Sequence, residues 1–221
     1  MVRSREWIES TFGRFAWRDS SERRGSIEIL GEWPRRNVIS FAPPFALLDG
    51  RGRPVSVVYC HRLVAPALAR VFDDLAARDL CHLVNTFDGC FVPRHMGWNP
   101  GRPLSRHAWG IAVDVNARLF PYRSRARQNQ RLIDAFARQG FVWGGDWRTP
   151  DPMHFEIYDL PRASRPLEVL LDGEPLAQGF LYEGRAMAPV REVAESLGAV
   201  VKARIAEGEV EILTQMGGES R

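Results

Sequence analysis

Apolar and polar residues alternate along Ile111-Ala112-Val113-Asp114-Val115, which predicts a strand. Ile111, Val113 and Val115 fall on one face; Gly110, Ala112 and Asp114 fall on the other. Residues 153–157, "MHFEI", alternate in the same way, with Met153, Phe155 and Ile157 opposite His154 and Glu156. Apolar residues at 63, 64, 67, 68, 71, 72 and 75 predict a helix, with Pro66 tolerated in its first turn. A second helix is expected over residues 127–139, closed by Gly140 just past its end. "HLVNTF", residues 82–87, reads as a further strand.

The flanks follow other patterns. Residues 1–58 show no regular period, but Trp7, Trp17 and Trp33 and the turn-rich "APPFALLDGRGRP" suggest a packed extension. Residues 59–161 carry the helices and strands just described and form the expected core. After Pro161, "RASRP" reads as a linker. "LEVLLDGEPL" reads as strand, Asp-Gly turn and strand, "APVREVAESLG" as a short helix, and "AVVKARI" and "EVEIL" as two more strands. Residues 167–214 are therefore expected to form a small separate α/β module. The fold class is α+β.

Composition narrows the picture only a little. With 221 residues, 45% of them hydrophobic, the chain can build a substantial core. A net charge of +3 and a pI near 9.0 are compatible with an anionic partner and select none. Lys202 is the only lysine. The three cysteines, Cys60, Cys81 and Cys90, are too few and too irregular for a disulfide framework. Cys81 and His82 with Cys90 and His95 fit no common zinc spacing, so core thiols are expected. The first residues, "MVRSREWIESTFGRF", lack the apolar run of a secretory leader, and no stretch is apolar enough to span a membrane. The expectation is synthesis in the cytoplasm without a signal peptide.

Asp114 is the residue that needs explaining. A carboxylate inside an apolar run is costly to bury unless a positive group meets it. His107 precedes it by seven residues, on the segment entering the strand, and His154 shares the polar side of a later strand. Two imidazoles and a carboxylate make a three-ligand set of the kind catalytic zinc sites use. The alternative is a turn-capping aspartate with two satisfied core histidines. Spacing alone leaves both readings open.

"SRHAWGIAVDVN" and "GFVWGGDWRTPDPMHFEI" together resemble a family of zinc peptidases. It includes D-alanyl-D-alanine carboxypeptidases of the vancomycin-resistance type and L-alanyl-D-glutamate endopeptidases of phage endolysins. The family pattern is Ser-x-His-x-x-Gly-x-Ala-x-Asp, then an acidic residue three before a second histidine. Ser105, His107, Gly110, Ala112 and Asp114 match the first half; Asp151 and His154 match the second.

The resemblance implies a Hedgehog/DD-peptidase-like antiparallel sheet with flanking helices. It implies Zn2+ held by His107, Asp114 and His154, with Asp151 as general base where many members carry glutamate. Glu156 is the substitute base, or else a carboxylate that supports a ligand or lies on the surface. Arg94 is expected to bind a substrate carboxylate through its planar fork, with Ser105 adding a hydroxyl; Arg102 and Arg106 are the nearby alternatives, and a solvated loop arginine is the other reading. Trp143 and Trp147 are expected to shape the cleft wall. Asp146 either orients a ligand histidine or forms the turn after Gly144-Gly145. The arginines between 118 and 138 are a solvated face or a contact for an anionic polymer.

The implied substrate is the peptidoglycan stem peptide, cut first as an L-alanyl-D-glutamate endopeptidase would. A D-alanyl-D-alanine carboxypeptidase and a non-catalytic wall-binding module are the alternatives. No motif supports nucleic-acid binding. The C-terminal module resembles the copper-amine-oxidase N-terminal-like domain, yet it has no histidine or cysteine to hold copper.

Overall fold

The computed structural model describes residues 3–160, 166–171, 173–182, 185–187, 190–204 and 209–214. Helix α1 (Arg5–Phe12) starts where the Ser4 side chain accepts the Trp7 N–H and ends at Gly13, whose φ of 86° the helix cannot continue. Strands β1 (Ala16–Asp19) and β2 (Ile27–Leu30) form an antiparallel hairpin. Helix α2 (Trp33–Asn37) leads into β3 (Val38–Phe41). Short strands β4 (Leu47–Leu48) and β5 (Pro54–Val55) pair with each other, and β6 (Val58–His61) returns antiparallel to β3. Residues 1–58 thus hold regular elements that periodicity did not reveal, because each is too short to show a period.

Helix α3 (Ala65–Ala77) is the one the apolar spacing predicted, with a proline in its first turn. Strands β7 (Phe87–Gly89) and β8 (Ala112–Val115) follow. Helix α4 (Gln130–Arg138) is capped by the Asn129 side chain, which accepts from the Arg131 N–H. It begins three residues later than the expected 127, because Asn129 takes the cap. Strands β9 (Phe141–Trp143) and β10 (His154–Ile157) complete a four-stranded antiparallel sheet in the order β7-β8-β10-β9.

The strand expected over 82–87 does not form. Residues Cys81–Leu83 make a 3₁₀ turn, and the Asn85 and Thr86 N–H groups donate to the Asn116 side chain, at 2.7 and 3.0 Å, instead of entering a ladder. The last strand also differs in burial. All four residues of β10 are buried, including the polar pair His154 and Glu156.

One face of the sheet meets the helices. Phe155 stacks on Phe136 of α4 with ring centroids 4.0 Å apart, and Phe87 meets Phe72 of α3 at 6.2 Å. Ile8, Phe12, Ile27, Trp33 and Leu47 join the same core as Leu68, Val113 and Phe155. Met1–Pro161 accordingly forms one compact unit. The sheet's other face carries Asp114, His154 and Glu156, which the β8–β10 register sets side by side. Cys60 and Cys90 are buried thiols and Cys81 is half-buried; all three are free.

His61 fastens the N-terminal segment to this core. It is fully buried; its Nε2–H donates to the Phe12 carbonyl at 3.2 Å and its Nδ1 accepts the Leu63 N–H at 3.2 Å. Burial, aided by the Arg62 charge, holds the imidazole neutral and lowers its pKa from 6.5 to about 3. Below pH 6.5 the unfolded chain binds a proton that the folded chain refuses. Stability therefore falls as pH drops towards 3, by up to ~1.4 kcal/mol per pH unit from this group. Denaturant titrations at pH 7 and 5 should show His61→Gln losing about 2 kcal/mol less than the parent protein over that interval. Equal losses would show that His61 does not set the acid limit.

Arg162–Arg221 forms the second compact unit. Its described residues include β11 (Pro166–Leu171), β12 (Glu174–Tyr182) and β13 (Arg185–Met187) in one antiparallel sheet. Gly173, at φ 88°, turns β11 into β12. Helix α5 (Val190–Ser196) precedes β14 (Ala199–Arg204), which pairs with β15 (Glu209–Thr214). Strand, helix and strand positions follow the sequence expectation; most of the expected linker lies outside the described residues.

Candidate metal centre

His107 sits in a 3₁₀ turn, Arg106–Trp109, whose first N–H groups would otherwise lack partners. The Ser105 side chain accepts the His107 N–H, and Gly110 closes the turn in the left-handed region at φ 66°. A side chain at Gly110 would press on the His61 backbone, with its Cβ 2.8 Å from that nitrogen. The chain then enters β8, and Asp114 pairs in register with His154 of β10. Facing residues on antiparallel strands place their side chains side by side, so the sheet itself brings Asp114 to His154.

The three groups converge. His154 Nδ1 lies 2.9 Å from Asp114 Oδ1, His107 Nε2 lies 3.1 Å from Asp114 Oδ2, and the two ring nitrogens are 3.3 Å apart. One ligand atom from each residue falls within 4.8 Å of the others, the group among the described residues that could hold a metal ion.

The far side of each ring fixes what the near side offers. His107 Nδ1 meets the Cys90 carbonyl at 2.9 Å, an acceptor only, so that nitrogen carries the proton and Nε2 presents a lone pair. His154 Nε2 meets Glu156 Oε2 at 3.3 Å, which turns its Nδ1 inward in the same way. Arg106 Nε lies 3.4 Å from the same Glu156 oxygen and partly offsets its buried charge. Two lone pairs and a carboxylate aimed at one point require a positive charge there. The donor set therefore fits a divalent cation, and it suits zinc.

The electrostatics agree. Burial alone would raise the Asp114 pKa, but His107 and His154 outweigh it and hold the carboxyl well below its ordinary range. Burial would lower His154, but hydrogen bonds to Asp114 and Glu156 prevail and push it up to about 10, so a proton takes the cation's place. Burial lowers His107, which keeps it neutral.

Asp151 stands beside this cluster. Burial, against the opposing attraction of His154, pushes its carboxyl up to about 6. Its Oδ1 is buried with no hydrogen-bond partner among the described residues. The loop that carries it is tightly held. The Asp151 N–H donates to the Gly144 carbonyl at 2.9 Å, and a Cβ at Gly144 would come 2.6 Å from the Asp151 carbonyl. Trp143 Nε1 and Gln128 Nε2 both donate to the Pro152 carbonyl, at 2.8 and 3.1 Å. Gln128 also donates to the Val115 carbonyl at 3.1 Å and so ties the Asp151 loop to the end of β8. Residues Asn116 and Gln128, joined at 2.9 Å, escaped the sequence reading. The only local signal was an amide at a strand end.

Arg94 approaches from the loop before the site, with its Nη2 3.6 Å from Asp114 Oδ2. Burial lowers its pKa while Asp114 and Asp151 oppose the shift, and a guanidinium stays charged in any case. Trp147 is half-buried, its ring 5.4 Å from that of His154. Trp143 is buried and holds the loop through its Nε1–H, which donates to the Pro152 carbonyl. Asp146 does not orient a ligand histidine. It is exposed and paired with Arg127 at 3.0 Å, and Glu156 and the Cys90 carbonyl occupy the histidines' outer nitrogens. The imagined set of Cys81, His82, Cys90 and His95 does not come together: His95 is instead bound to Asp19 and the Arg102 carbonyl.

Two imidazoles and a carboxylate brought together in this way could hold a metal ion, with the Asp151 carboxyl nearby. The family model described as D-alanyl-D-alanine carboxypeptidase matches residues 98–157, which contain His107, Asp114, Asp151 and His154. That match supports a peptidase. No curated protein matches the chain.

Proposed function

We propose that the protein is a zinc peptidase of the peptidoglycan stem peptide, acting first as an L-alanyl-D-glutamate endopeptidase. The observation that carries this reading is the convergence of His107, Asp114 and His154 beside the unpartnered Oδ1 of Asp151. Zinc, when bound by those three side chains, supplies Lewis acidity towards a water and the scissile carbonyl. Asp151 Oδ1 takes the water's proton and then delivers it to the leaving amine. Glu156 and the Cys90 carbonyl keep both imidazoles in register. Arg94, with the Ser105 hydroxyl, binds a substrate carboxylate beside the scissile bond, and the Trp147 ring forms a wall against bulk water.

Aspartate in the base position favours the endopeptidase, since the endolysin-type branch that the sequence resembles accepts it there. The matching family, described as D-alanyl-D-alanine carboxypeptidase, favours the second reading, release of the terminal D-alanine. An unpartnered acid at the cluster argues against a site kept only for wall binding, because leaving it unpaired is costly unless it works. In this reading residues 59–161 carry the catalytic core on a Hedgehog/DD-peptidase-like sheet, residues 1–58 brace it, and residues 167–214, resembling the copper-amine-oxidase N-terminal-like domain, anchor the enzyme to its polymer. The enzyme reaches the wall on release during lysis. Among the described residues no helix is long and apolar enough to cross a membrane.

Mass spectrometry of digested muropeptides separates the two bonds. The expected products have lost L-alanine from the glutamate amine. Free D-alanine as the sole product would refute the endopeptidase and establish the carboxypeptidase.

A further inference from the structure

The β1–β2 hairpin lies outside the region matched by the family model, yet its turn is built against the Arg94 loop. Ser26 bridges to Arg94, the Ile27 N–H donates to the Pro93 carbonyl at 3.1 Å, and the His95 N–H donates to the Gly25 carbonyl at 2.8 Å. Gly25 adopts φ 78°, and a Cβ there would sit 2.2 Å from the Trp98 carbonyl oxygen. Trp98 itself is held at φ 57°, a conformation a bulky residue adopts only when its surroundings enforce it. His95 adds a side-chain tie, with Nε2 2.9 Å from Asp19 Oδ1.

This docking brings two cations to one indole. The Arg23 guanidinium carbon lies 3.4 Å from the centre of the Trp98 ring, and that of Arg94 lies 5.3 Å from it. The Arg23 charge is felt at Arg94, where it opposes a second positive charge. The Ser26 N–H and hydroxyl both hold the Arg23 carbonyl, at 3.0 and 2.6 Å, which fixes the turn that presents the side chain. Arg94 has Asp114 beside it, whereas Arg23 has no carboxylate partner among the described residues. The interlocked turn thus places two like charges at one ring, where a shared anion would offset their repulsion.

We propose that Arg23 is a specificity-determining residue, forming with Arg94 and Trp98 a two-guanidinium clamp for a peptide carboxylate next to the scissile bond. The assignment rests on the peptidase reading for its substrate. Arg94 is the half-buried member and sets the carboxylate's distance from His107, Asp114 and His154. Arg23 is exposed and adds a second charged donor pair, so a free carboxylate is preferred over its amide.

The test uses zinc-loaded full-length protein carrying Asp151→Asn to suppress cleavage. It is titrated calorimetrically with an L-alanyl-γ-D-glutamyl peptide whose α-carboxylate is free or amidated, with Arg23 intact or replaced. The free acid should bind about tenfold more tightly than the amide. Arg23→Met, which keeps the side chain's length over the indole, should cut that ratio to about twofold, and Arg23→Lys should restore part of it. An unchanged ratio in Arg23→Met, or no binding of either peptide, overturns the assignment. Cleavage by the unmodified protein is followed in parallel. Arg23-dependent carboxylate preference without any cleavage refutes the peptidase reading and leaves the clamp standing; cleavage with a preference that ignores Arg23 does the reverse.

Discussion

Asp151→Asn should lower kcat for stem-peptide hydrolysis by roughly 10²–10⁴-fold, the range that loss of a positioned general base produces. Asparagine keeps the size of the side chain and its place in the loop but cannot accept a proton. The loop itself is secured through backbone groups, Asp151 N–H to the Gly144 carbonyl and Pro152 carbonyl to Trp143 and Gln128, so the substitution leaves that framework in place. Zinc content should stay near one per chain, because the ligand atoms belong to other residues. Muropeptide turnover and metal analysis on the same preparation check both halves. Turnover within a few-fold of the parent would remove Asp151 from the mechanism and return attention to Glu156.

Stripping the metal should abolish turnover, and restoring zinc should recover it together with a higher melting temperature. Without a cation, two inward lone pairs and a buried carboxylate face one another, and only a proton on His154 relieves them. Zinc at a thousand times its Kd should stabilise the folded chain by about 4 kcal/mol. For a unit of this size that is on the order of ten degrees in Tm. Asp114→Ala removes the carboxylate of the three-residue group that could hold the ion, and its Tm should then not respond to zinc. Calorimetric scans with and without zinc decide the matter. An identical shift in Asp114→Ala would place the ion elsewhere.

How much of this was legible beforehand depended on where each interaction is encoded. Alternation along 111–115 and 153–157 located both site strands, and the period-two rule already placed His154 and Glu156 on one face. The apolar spacing from 63 to 75 found α3, since thirteen consecutive residues leave a clear stripe. The strand expected at 82–87 failed because a single side chain, Asn116, captured the N–H groups that a ladder needs. Asp146 was ambiguous because its partner, Arg127, is distant in sequence and was met only through folding. The support of His107 by the Cys90 carbonyl was invisible, because a backbone carbonyl has no residue signature.

The sequence by itself determined the chemical types at the site, the strands that carry Asp114 and His154, and the apolar faces that bury them, because side-chain identity and local period are written residue by residue. Only the tertiary structure decided that one atom each of His107, Asp114 and His154 come together, that Glu156 rather than Asp146 backs His154, and that Arg23 and Arg94 both meet the Trp98 ring. Those are distances between segments far apart in the chain, set by strand register and by loops packed against one another, and no local pattern contains them.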